Sequence, residues 1–550
     1  MTLGTASKQG DLFNDLDRFL DKALDDGSIY VFLHRERDRL FPDEMFADLF
    51  MGHGRRSVPP SVVAAVMVLQ RAEGLSDREA VERFTFDTRW RYAAGVGGYG
   101  NDAEWKSFSH TVLVDMRERL RHSERPDRVF EVTLEAARVA GLVGRRRVLD
   151  STPLYDAVAT MDTVTLVRSA LRGLLKVADA KLEAELRAVL RSGDDYQSSA
   201  KPSIDWDDAE AREALIDSRA KDAYACLKLL DGRTLELPVK EAAKLLATVA
   251  GQDVEEGDDG VFRIRRKVAK DRVISTVDPE ARHGHKTESR SFDGYKGHIA
   301  VDPDSEIITA TTVTAGNAGD ASVAEDLIAD LVQGREEGPA AASADSPSPD
   351  SSTGEEATPA KDAPIVYGDN AYGTGAFQDY LAAAGIDSRC KTQQPTAPGG
   401  LFAKDRFQID LTEGTVTCPA GVTAAVRFSR DGGGMAFFGE ACAACALRAH
   451  CTRAQAGRTI TISPHERALA EARARQTGPA WREDYRATRP KVERKIGHLM
   501  RRLHGGRRAR MRGTAKIGAD FRLLGAAKNL ARLAVLRVTG ISGRWAVAAA

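Results

Sequence analysis

The sequence predicts an α/β protein, and two kinds of segment support that prediction. Segments 145–149 and 364–367 each end in a short apolar run typical of a buried strand, and the aspartates Asp150 and Asp369 follow closely. Longer segments with helical periodicity lie before, between and after these strands. Since ligands and catalytic groups collect at the carboxyl ends of strands in α/β sheets, both aspartates are candidate metal-binding or catalytic acids. The alternative for each is a helix-capping or turn aspartate.

The chain is expected to form several units, because 550 residues are too many for one ordinary core. The expected units are a helical N-terminal DNA-binding domain (1–140), a first core segment (141–160), a helical insertion (161–265), a core hairpin and helix (266–337), a disordered loop (338–363), a core strand–helix–strand unit (364–395), a Cys-rich insertion (396–470) and basic C-terminal core helices (471–550). The loop is predicted because its Pro, Ser, Ala, Asp and Glu residues bury too little apolar surface to offset the entropy of ordering.

Within the N-terminal unit, apolar periodicity predicts a helix at 60–72. Ser76 and Glu79 have the spacing of a capping box before a second helix at 80–84. Two consecutive helices joined by a short turn are similar to a helix-turn-helix DNA-binding motif, and a plain helical bundle is the alternative.

In the middle of the chain, strand signals at 295–301 and 307–313 flank a short turn and predict a hairpin. Asp320 is interpreted as the cap of a following helix at 321–332. The basic setting of His283, His285 and His298 favours phosphate contact or simple exposure over metal binding.

Charge is unevenly distributed along the chain. The formal net charge is −1, yet the segment 481–544 carries 18 Lys and Arg against 4 Asp and Glu. A basic segment on an acidic body predicts a polyanionic partner, with a solvated basic helix face as the alternative. The polar N-terminus and the lack of an apolar run of about 18 residues predict a cytoplasmic protein, associated with the nucleoid if DNA is the partner.

Four of the six cysteines cluster, and the absence of a secretory signal argues against disulfides. Cys418 begins a Cys-Pro-x-Gly turn, Cys442 and Cys445 form a Cys-x-x-Cys pair, and Cys451 follows. Four thiolates at this spacing suit a tetrahedral structural zinc, so the Cys-rich insertion is predicted to bind zinc. Redox-active or unliganded thiols are the alternatives.

A third candidate acid, Glu493, lies among cations in the basic segment. Pro490 fits the first turn of a helix, so Glu493 could simply favour the positive end of that helix. Arg489 lies four residues earlier, at a spacing that places two side chains on one helix face.

Together these motifs resemble the DDE transposases of bacterial insertion sequences. The resemblance is carried by the segments 149–152 and 366–372, by Tyr485, Arg489 and Glu493, and by the closing segment 529–533. In the most similar branch, the last signature is Tyr, two residues, Arg, three residues, Glu, six residues, Lys. Arg489 and Glu493 match this spacing, whereas Tyr485 lies one residue too far from the arginine and Met500 takes the lysine position, beside Arg501.

The resemblance implies a ribonuclease H-like catalytic core in which Asp150, Asp369 and Glu493 hold two Mg²⁺ (or Mn²⁺) ions. It also implies that water first frees a 3′ hydroxyl at the element end, and that this hydroxyl then attacks target DNA. The implied partner is double-stranded DNA, bound by a homodimer. The alternatives are a transposase-derived DNA-binding protein that no longer cuts, or a nuclease of the same fold without strand transfer.

Cationic and aromatic residues of the basic segment are the expected DNA contacts, because affinity for DNA arises mainly from Lys and Arg on phosphates. They are Tyr485, Arg486, Arg489, Arg494, Lys495, Arg501, Arg502, Arg507 and Arg508.

Overall fold

The computed structural model of the chain describes residues 1–3, 15–96, 107–156, 160–200, 202, 204–287, 289–333 and 363–548. Within these ranges the strands form one six-stranded sheet, one five-stranded sheet and two two-stranded sheets, surrounded by helices. The predicted disordered loop lies, except for its last residue, outside the described residues. None of the described helices is long and apolar enough to span a membrane.

The N-terminal part of the described chain is helical. Its helices are α1 (Asp15–Ala23), α2 (Ile29–Leu40), α3 (Pro60–Glu73), α4 (Asp77–Phe86), α5 (Thr88–Ala93), α6 (Thr111–Arg121) and α7 (Arg128–Val139). The predicted helix at 60–72 is α3, which ends at Gly74 with a φ of 67°, the left-handed conformation that glycine adopts most easily. The predicted capping box is confirmed at the start of α4, where the Ser76 and Glu79 side chains each accept from the other residue's backbone N–H.

A first strand, β1 (Arg146–Tyr155), separates these helices from a second helical region. That region contains α8 (Thr163–Val177), α9 (Ala180–Val189), α10 (Ala209–Leu230) and α11 (Leu237–Asp253), followed by the paired strands β2 (Val254–Glu256) and β3 (Phe262–Ile264). Its helices bury a hydrophobic cluster of their own, which includes Leu166, Leu171, Leu174, Leu246 and Val249. The region predicted as an insertion therefore has a separate core.

The six-stranded sheet brings the two candidate aspartates to neighbouring strands. Besides β1 it contains β4 (Arg282–Thr287), β5 (Arg290–Val301), β6 (Ile308–Ala315), β7 (Ile365–Gly368) and β8 (Asp387–Cys390), with α12 (Ala324–Leu327) and α13 (Ala329–Gln333) after β6 and α14 (Gly375–Ala383) after β7. The strand order is β4-β5-β1-β7-β8, and β6 also pairs with β5. The pairs of β5 with β1, β4 and β6 are antiparallel, whereas β7 is parallel to β1 and β8. The predicted hairpin is confirmed as β5 and β6.

Two predictions about this sheet are wrong. The first strand does not end at Asp150 but continues to Tyr155, because β5 pairs with it over residues 148–155 and supplies partners for its backbone groups. The helix predicted at 321–332 is broken into a 3₁₀ turn (Asp320–Val323), α12 and α13, and Asp320 makes no side-chain capping hydrogen bond.

The Cys-rich region forms the antiparallel five-stranded sheet. Its strands are β9 (Gln408–Asp410), β10 (Thr415–Thr417), β11 (Thr423–Phe428), β12 (Gly434–Phe437) and β13 (Thr459–Ile462), and the one-turn helix α15 (Arg448–Cys451) lies between the last two. Phe407, Val416, Phe438, Ile460 and Ile462 belong to its small core. This sheet also buries its own apolar residues, apart from those of the six-stranded sheet.

The C-terminal helices connect the N-terminal helices to the six-stranded sheet. They are α16 (Glu466–Arg475), α17 (Pro479–Thr488), α18 (Pro490–Leu499) and α19 (Thr514–Val535), and a final hairpin of β14 (Val538–Ile541) and β15 (Arg544–Val547) follows. The long helix α19 packs against β6, α3 and α7, so these elements share one hydrophobic core. The buried Asn529 fixes this contact, because its amide both accepts from the Ile308 N–H and donates to the Ile308 carbonyl.

Candidate active site

Asp150 and Asp369 point to the same face of the six-stranded sheet. Val148 of β1 pairs with Tyr367 of β7 in the parallel register, and each aspartate lies two residues beyond its strand's member of that pair. Because side chains alternate along a strand, residues two apart share a face. Two acids separated by more than 200 residues in the sequence therefore lie side by side on adjacent strands, Asp150 within β1 and Asp369 directly after β7.

Arg489 connects the two carboxylates. Its Nη2 atom is 3.0 Å from Asp150 Oδ1 and 3.6 Å from Asp369 Oδ2. The arginine side chain is only 7% exposed, and although burial opposes its charge, the two carboxylates raise its pKa above the usual value. Burial also raises the pKa of Asp369; the Arg489 guanidinium opposes this rise, while the Asp150 carboxylate adds to it. One cation thus serves two acids and leaves the Asp369 carboxylate incompletely stabilised.

Contacts from α17 hold Arg489 in this position. The Tyr485 hydroxyl donates to the Gly368 carbonyl at 3.3 Å, directly before Asp369. Asp484 accepts a hydrogen bond of 2.8 Å from the Tyr367 hydroxyl and also contacts Arg146. Sequence reasoning missed Asp484, although its place beside Tyr485 in the third motif could have drawn attention to it.

The third predicted acid lies near this pair without contacting it. Glu493 is in the first turn of α18, four residues after Arg489, and its side chain is exposed. Among the described residues, no hydrogen bond or ion pair joins Glu493 to Asp150 or Asp369. The structure therefore brings two of the three predicted acids together. The third acid, Glu493, lies one helical turn away from Arg489, which contacts the other two.

The opposite face of β1 carries a second polar group that sequence reasoning misread. Asp320 does not cap a helix; it is buried, and its carboxylate accepts hydrogen bonds from Ser151 Oγ at 2.5 Å and from Lys296 Nζ at 2.8 Å. Although burial acts to raise it, the pKa of Asp320 is lowered by these two donors. An acid shortly behind a predicted strand is the same signal that singled out Asp369, so this residue was within reach of the sequence argument.

His298 belongs to the same buried group, which corrects the expectation of exposure. Its Nε2 atom is 2.9 Å from Thr314 Oγ1 and its Nδ1 atom is 3.3 Å from the Tyr372 hydroxyl. Burial lowers the pKa of His298 to about 4, so the ring is neutral at physiological pH. His283 and His285 are exposed, as expected, and His283 pairs with Asp293 at 2.7 Å.

Among the residues that the structure describes, no group of three or more His, Cys, Asp or Glu side chains is arranged so that it could hold a metal ion as it stands. The donor chemistry of the Asp150–Asp369 pair nevertheless suits a hard divalent cation, which carboxylate oxygens bind well. The Asp369 side chain is 44% exposed, so a cation could reach its carboxylate.

The four clustered thiols converge in the structure. Cys418, Cys442, Cys445 and Cys451 all line one cavity of about 20 Å³, enclosed mainly by apolar side chains. Burial raises the pKa of the Cys451 thiol; Arg458 opposes this, and the three other thiols add to it, so Cys451 lies within electrostatic reach of each of them. Four thiols are donors of the kind that zinc prefers, although among the described residues they are not arranged to hold a metal ion as they stand.

The basic loop after α18 runs beside the strand that carries Asp150. The Tyr155 backbone donates to the Arg507 carbonyl at 2.7 Å and accepts from the Ala509 N–H at 2.8 Å. The predicted DNA contacts in this loop are exposed: Arg501, Arg502, Arg507 and Arg508. The pairing with Tyr155 therefore places free cations at the end of β1, a connection that the sequence did not indicate.

The other predicted DNA contacts differ in accessibility. Arg486 is exposed, and Arg494 is about half exposed but forms an ion pair with Glu306. Lys495 is 6% exposed, because it lies on the face of α18 that carries Ile496 and Leu499 into the core. Lys495 is therefore not accessible at the surface of this structure, and its contact with DNA stays a prediction.

Comparison with known families identifies the class of protein that this site belongs to. Residues 18–119 match the family model described as a transposase domain (DUF772), and residues 417–534 match the model described as a transposase DDE domain. No curated protein and no solved structure matches the chain. The two matches support a transposase.

More specifically, they support a DDE transposase of an insertion sequence, as the motifs predicted. A DDE domain implies a ribonuclease H-like core, and the mixed α/β architecture is consistent with one. Enzymes of this class generally cleave DNA with divalent metals such as Mg²⁺.

Proposed function

We propose that this transposase binds the ends of its insertion sequence, cleaves their phosphodiester bonds with two metal ions and joins the freed 3′ hydroxyl to target DNA. The observation that carries the proposal is the convergence of Asp150 and Asp369 on one face of adjacent parallel strands. Their single shared counter-charge, Arg489, comes from the helix pair that also carries Glu493.

Asp150, Asp369 and Glu493 are the proposed ligands of two Mg²⁺ (or Mn²⁺) ions. When bound, such ions stabilise the negative charge that develops on the attacking and leaving oxygens of phosphoryl transfer. Arg489 holds the two aspartates close together before DNA binds, because its guanidinium contacts both. A DNA phosphate offers Arg489 a competing anion, so the same arginine is proposed to contact the backbone near the cut.

DNA binding is proposed to involve the exposed arginines beside the acids. Arg486, Arg501, Arg502, Arg507 and Arg508 contribute contacts to phosphates, which give affinity without sequence information. The two consecutive helices α3 and α4 are the proposed DNA-binding part of an N-terminal domain. The functional unit on double-stranded DNA is proposed to be a homodimer in the cytoplasm.

Strand transfer separates this proposal from a nuclease of the same fold. The experiment supplies purified protein with Mg²⁺, pre-cleaved element ends that carry a 3′ hydroxyl, and a target plasmid. Joined product is the expected result, and ends that carry a 3′ phosphate should give none. A protein that nicks intact ends but never joins pre-cleaved ends is a nuclease, and one that binds ends without nicking them is a DNA-binding protein.

The Cys-rich sheet is proposed to hold one structural zinc through Cys418, Cys442, Cys445 and Cys451, which line one cavity. Metal analysis should find about one zinc per chain. Cys445→Ser should lose the metal and lower the unfolding temperature, because zinc binding contributes directly to folding. Cys226→Ser, in the helical region, is the matched control and should keep the zinc. A folded, zinc-free protein that tolerates Cys445→Ser would contradict the proposal.

A further inference from the structure

We propose that Asp320 is a positioning residue for DNA cleavage, which holds the segment of β1 that carries Asp150. The inference rests on the proposed function, since it assigns Asp150 to the reaction. Asp320 lies in the turn after β6, 170 positions from Asp150 in the sequence, and it reaches β1 from the face opposite to Arg489.

Ser151 transmits the contact from Asp320 to Asp150. The Ser151 hydroxyl donates to Asp320 Oδ2 at 2.5 Å, and the Ser151 backbone N–H donates to Asp150 Oδ1 at 2.8 Å. The Ser151 carbonyl accepts from Lys286 Nζ at 3.1 Å. One residue is therefore held at its side chain, its N–H and its carbonyl, and the N–H is the group that orients the Asp150 carboxylate.

This arrangement occupies one carboxylate oxygen of Asp150 and leaves the other. Oδ1 receives both the Ser151 N–H and the Arg489 guanidinium, at 2.8 Å and 3.0 Å. No hydrogen bond from a described residue is directed to Oδ2. Fixing Oδ1 in this way leaves Oδ2 as the oxygen of Asp150 that is available to a cation.

Asp320 itself is not arranged as a ligand. Lys296 Nζ donates to Oδ1 at 2.8 Å and Ser151 donates to Oδ2, so both carboxylate oxygens are occupied within the protein. Lys296 in turn donates to the Ala318 carbonyl at 2.8 Å, which fixes the turn on which Asp320 stands. A metal ion at Asp320 would have to break these bonds.

The energetics also favour a positioning role. Asp320 and Lys296 form a mostly buried ion pair, with side chains 9% and 15% exposed. Such pairs contribute little net stability compared with well-packed apolar residues, because desolvation offsets their attraction. What they do provide is one defined geometry for the groups bonded to them, and here that group is Ser151.

The test compares Asp320→Ala, Asp320→Asn and Ser151→Ala with Asp326→Ala, an exposed acid a few residues away on α12. The first readout is amide hydrogen exchange of residues 148–153 in metal-free, DNA-free protein, which does not depend on catalysis. Asp320→Ala should exchange about tenfold faster there, since a lost anchor allows local opening. Ser151→Ala should show a smaller increase, and Asp326→Ala should match the wild type.

The second readout is cleavage as a function of Mg²⁺ concentration. Asp320→Ala should cleave about 10- to 100-fold more slowly and need more Mg²⁺, as expected when a residue that orients a ligand is lost. Asp320→Asn should retain most activity, because an amide can still accept from Lys296 and donate to Ser151. If Asp320→Ala fails to fold, Ser151→Ala and Asp320→Asn decide the question.

Two results would overturn the inference. Asp320→Asn as inactive as Asp369→Asn would make Asp320 a ligand, and unchanged exchange and cleavage in both Asp320→Ala and Ser151→Ala would make the contact irrelevant to Asp150. Failure of the proposed function is distinguishable, because a wild-type protein that does not cleave DNA would still show faster exchange at 148–153 in Asp320→Ala.

Discussion

The two faces of β1 carry similar acids in opposite states. On one face, Asp150 and Asp369 share a single guanidinium, and Asp369 is 44% exposed with a pKa that burial raises. On the other face, Asp320 is 9% exposed, has both oxygens hydrogen-bonded, and has a lowered pKa because its two donors outweigh the effect of burial. The first face therefore has one cation for two carboxylates, whereas the acid on the second face is satisfied by donors of the protein itself. The first face is thus the better place for a divalent cation.

The largest effect is expected when one carboxylate is removed from the face that carries Asp150 and Asp369. Asp369→Asn should reduce Mg²⁺-dependent nicking of element ends by at least about 10³-fold, the scale on which lost electrostatic stabilisation of a transition state slows enzymes. Affinity for DNA should be unchanged or slightly higher, because it arises from cations on phosphates. Asp326→Asn is the control, and appreciable nicking by Asp369→Asn would contradict the distinction between the faces.

Arg489→Met tests whether the face of Asp150 and Asp369 has too few cations for its two carboxylates. Removing the cation that lies between two partly buried carboxylates should destabilise the metal-free protein by about 3–5 kcal/mol, as breaking buried ion pairs does. Added Mg²⁺ should raise the melting temperature of this variant more than that of the wild type, because the ion replaces the missing charge. Lys296→Met, on the satisfied face, should also be destabilised but should not be rescued by Mg²⁺. Equal rescue of both variants by Mg²⁺ would contradict the difference between the two faces.

Lys495 extends the same reasoning to a buried cation. Burial lowers the pKa of Lys495 from 10.5 to about 8. Below pH 8 the buried side chain is charged, and this destabilises the folded state because the unfolded state solvates the charge better. Between pH 8 and 10.5 the unfolded state binds the extra proton, and stability therefore rises with pH.

We expect Lys495→Met to be more stable than the wild type at pH 7, by on the order of 3 kcal/mol if the full pKa difference is expressed. The advantage should shrink as the pH rises toward 10.5, as measured by chemical denaturation. DNA affinity should not fall, in contrast to Arg507→Ala, which removes an exposed cation. Weaker DNA binding by Lys495→Met would instead support Lys495 as a DNA contact.

Local signals in the sequence predicted a substantial part of the fold. Apolar periodicity predicted α3, and spacing alone predicted the capping box of Ser76 and Glu79, because both depend on residues within one or two helical turns. The β5–β6 hairpin was predicted for the same reason. The continuation of β1 to Tyr155 was not, because it depends on pairing with β5, more than 130 residues away.

The candidate site shows the same limit. Strand-then-acid patterns predicted Asp150 and Asp369, but the contact of Arg489 with both requires the packing of α17 and α18 on the sheet. Asp320 was misread as a cap because its partners, Ser151 and Lys296, are distant in sequence, although its place shortly after a predicted strand could have drawn attention to it. The burial of Lys495 was not predicted, because charge alone does not reveal which face of α18 is buried.

We expect Asp150, Asp369 and Glu493 to act together in DNA cleavage, although Glu493 lies one helical turn from Arg489, which contacts the two aspartates. The most direct measurement is Mg²⁺-dependent nicking of DNA that carries the element's own ends, with Glu493→Gln compared with Glu483→Gln, an exposed glutamate on α17. Glu493→Gln should bind the ends but not nick them, and Glu483→Gln should retain substantial activity. Nicking by Glu493→Gln at the wild-type rate, or a Glu483→Gln variant as inactive as Asp369→Asn, would contradict the assignment of the third acid.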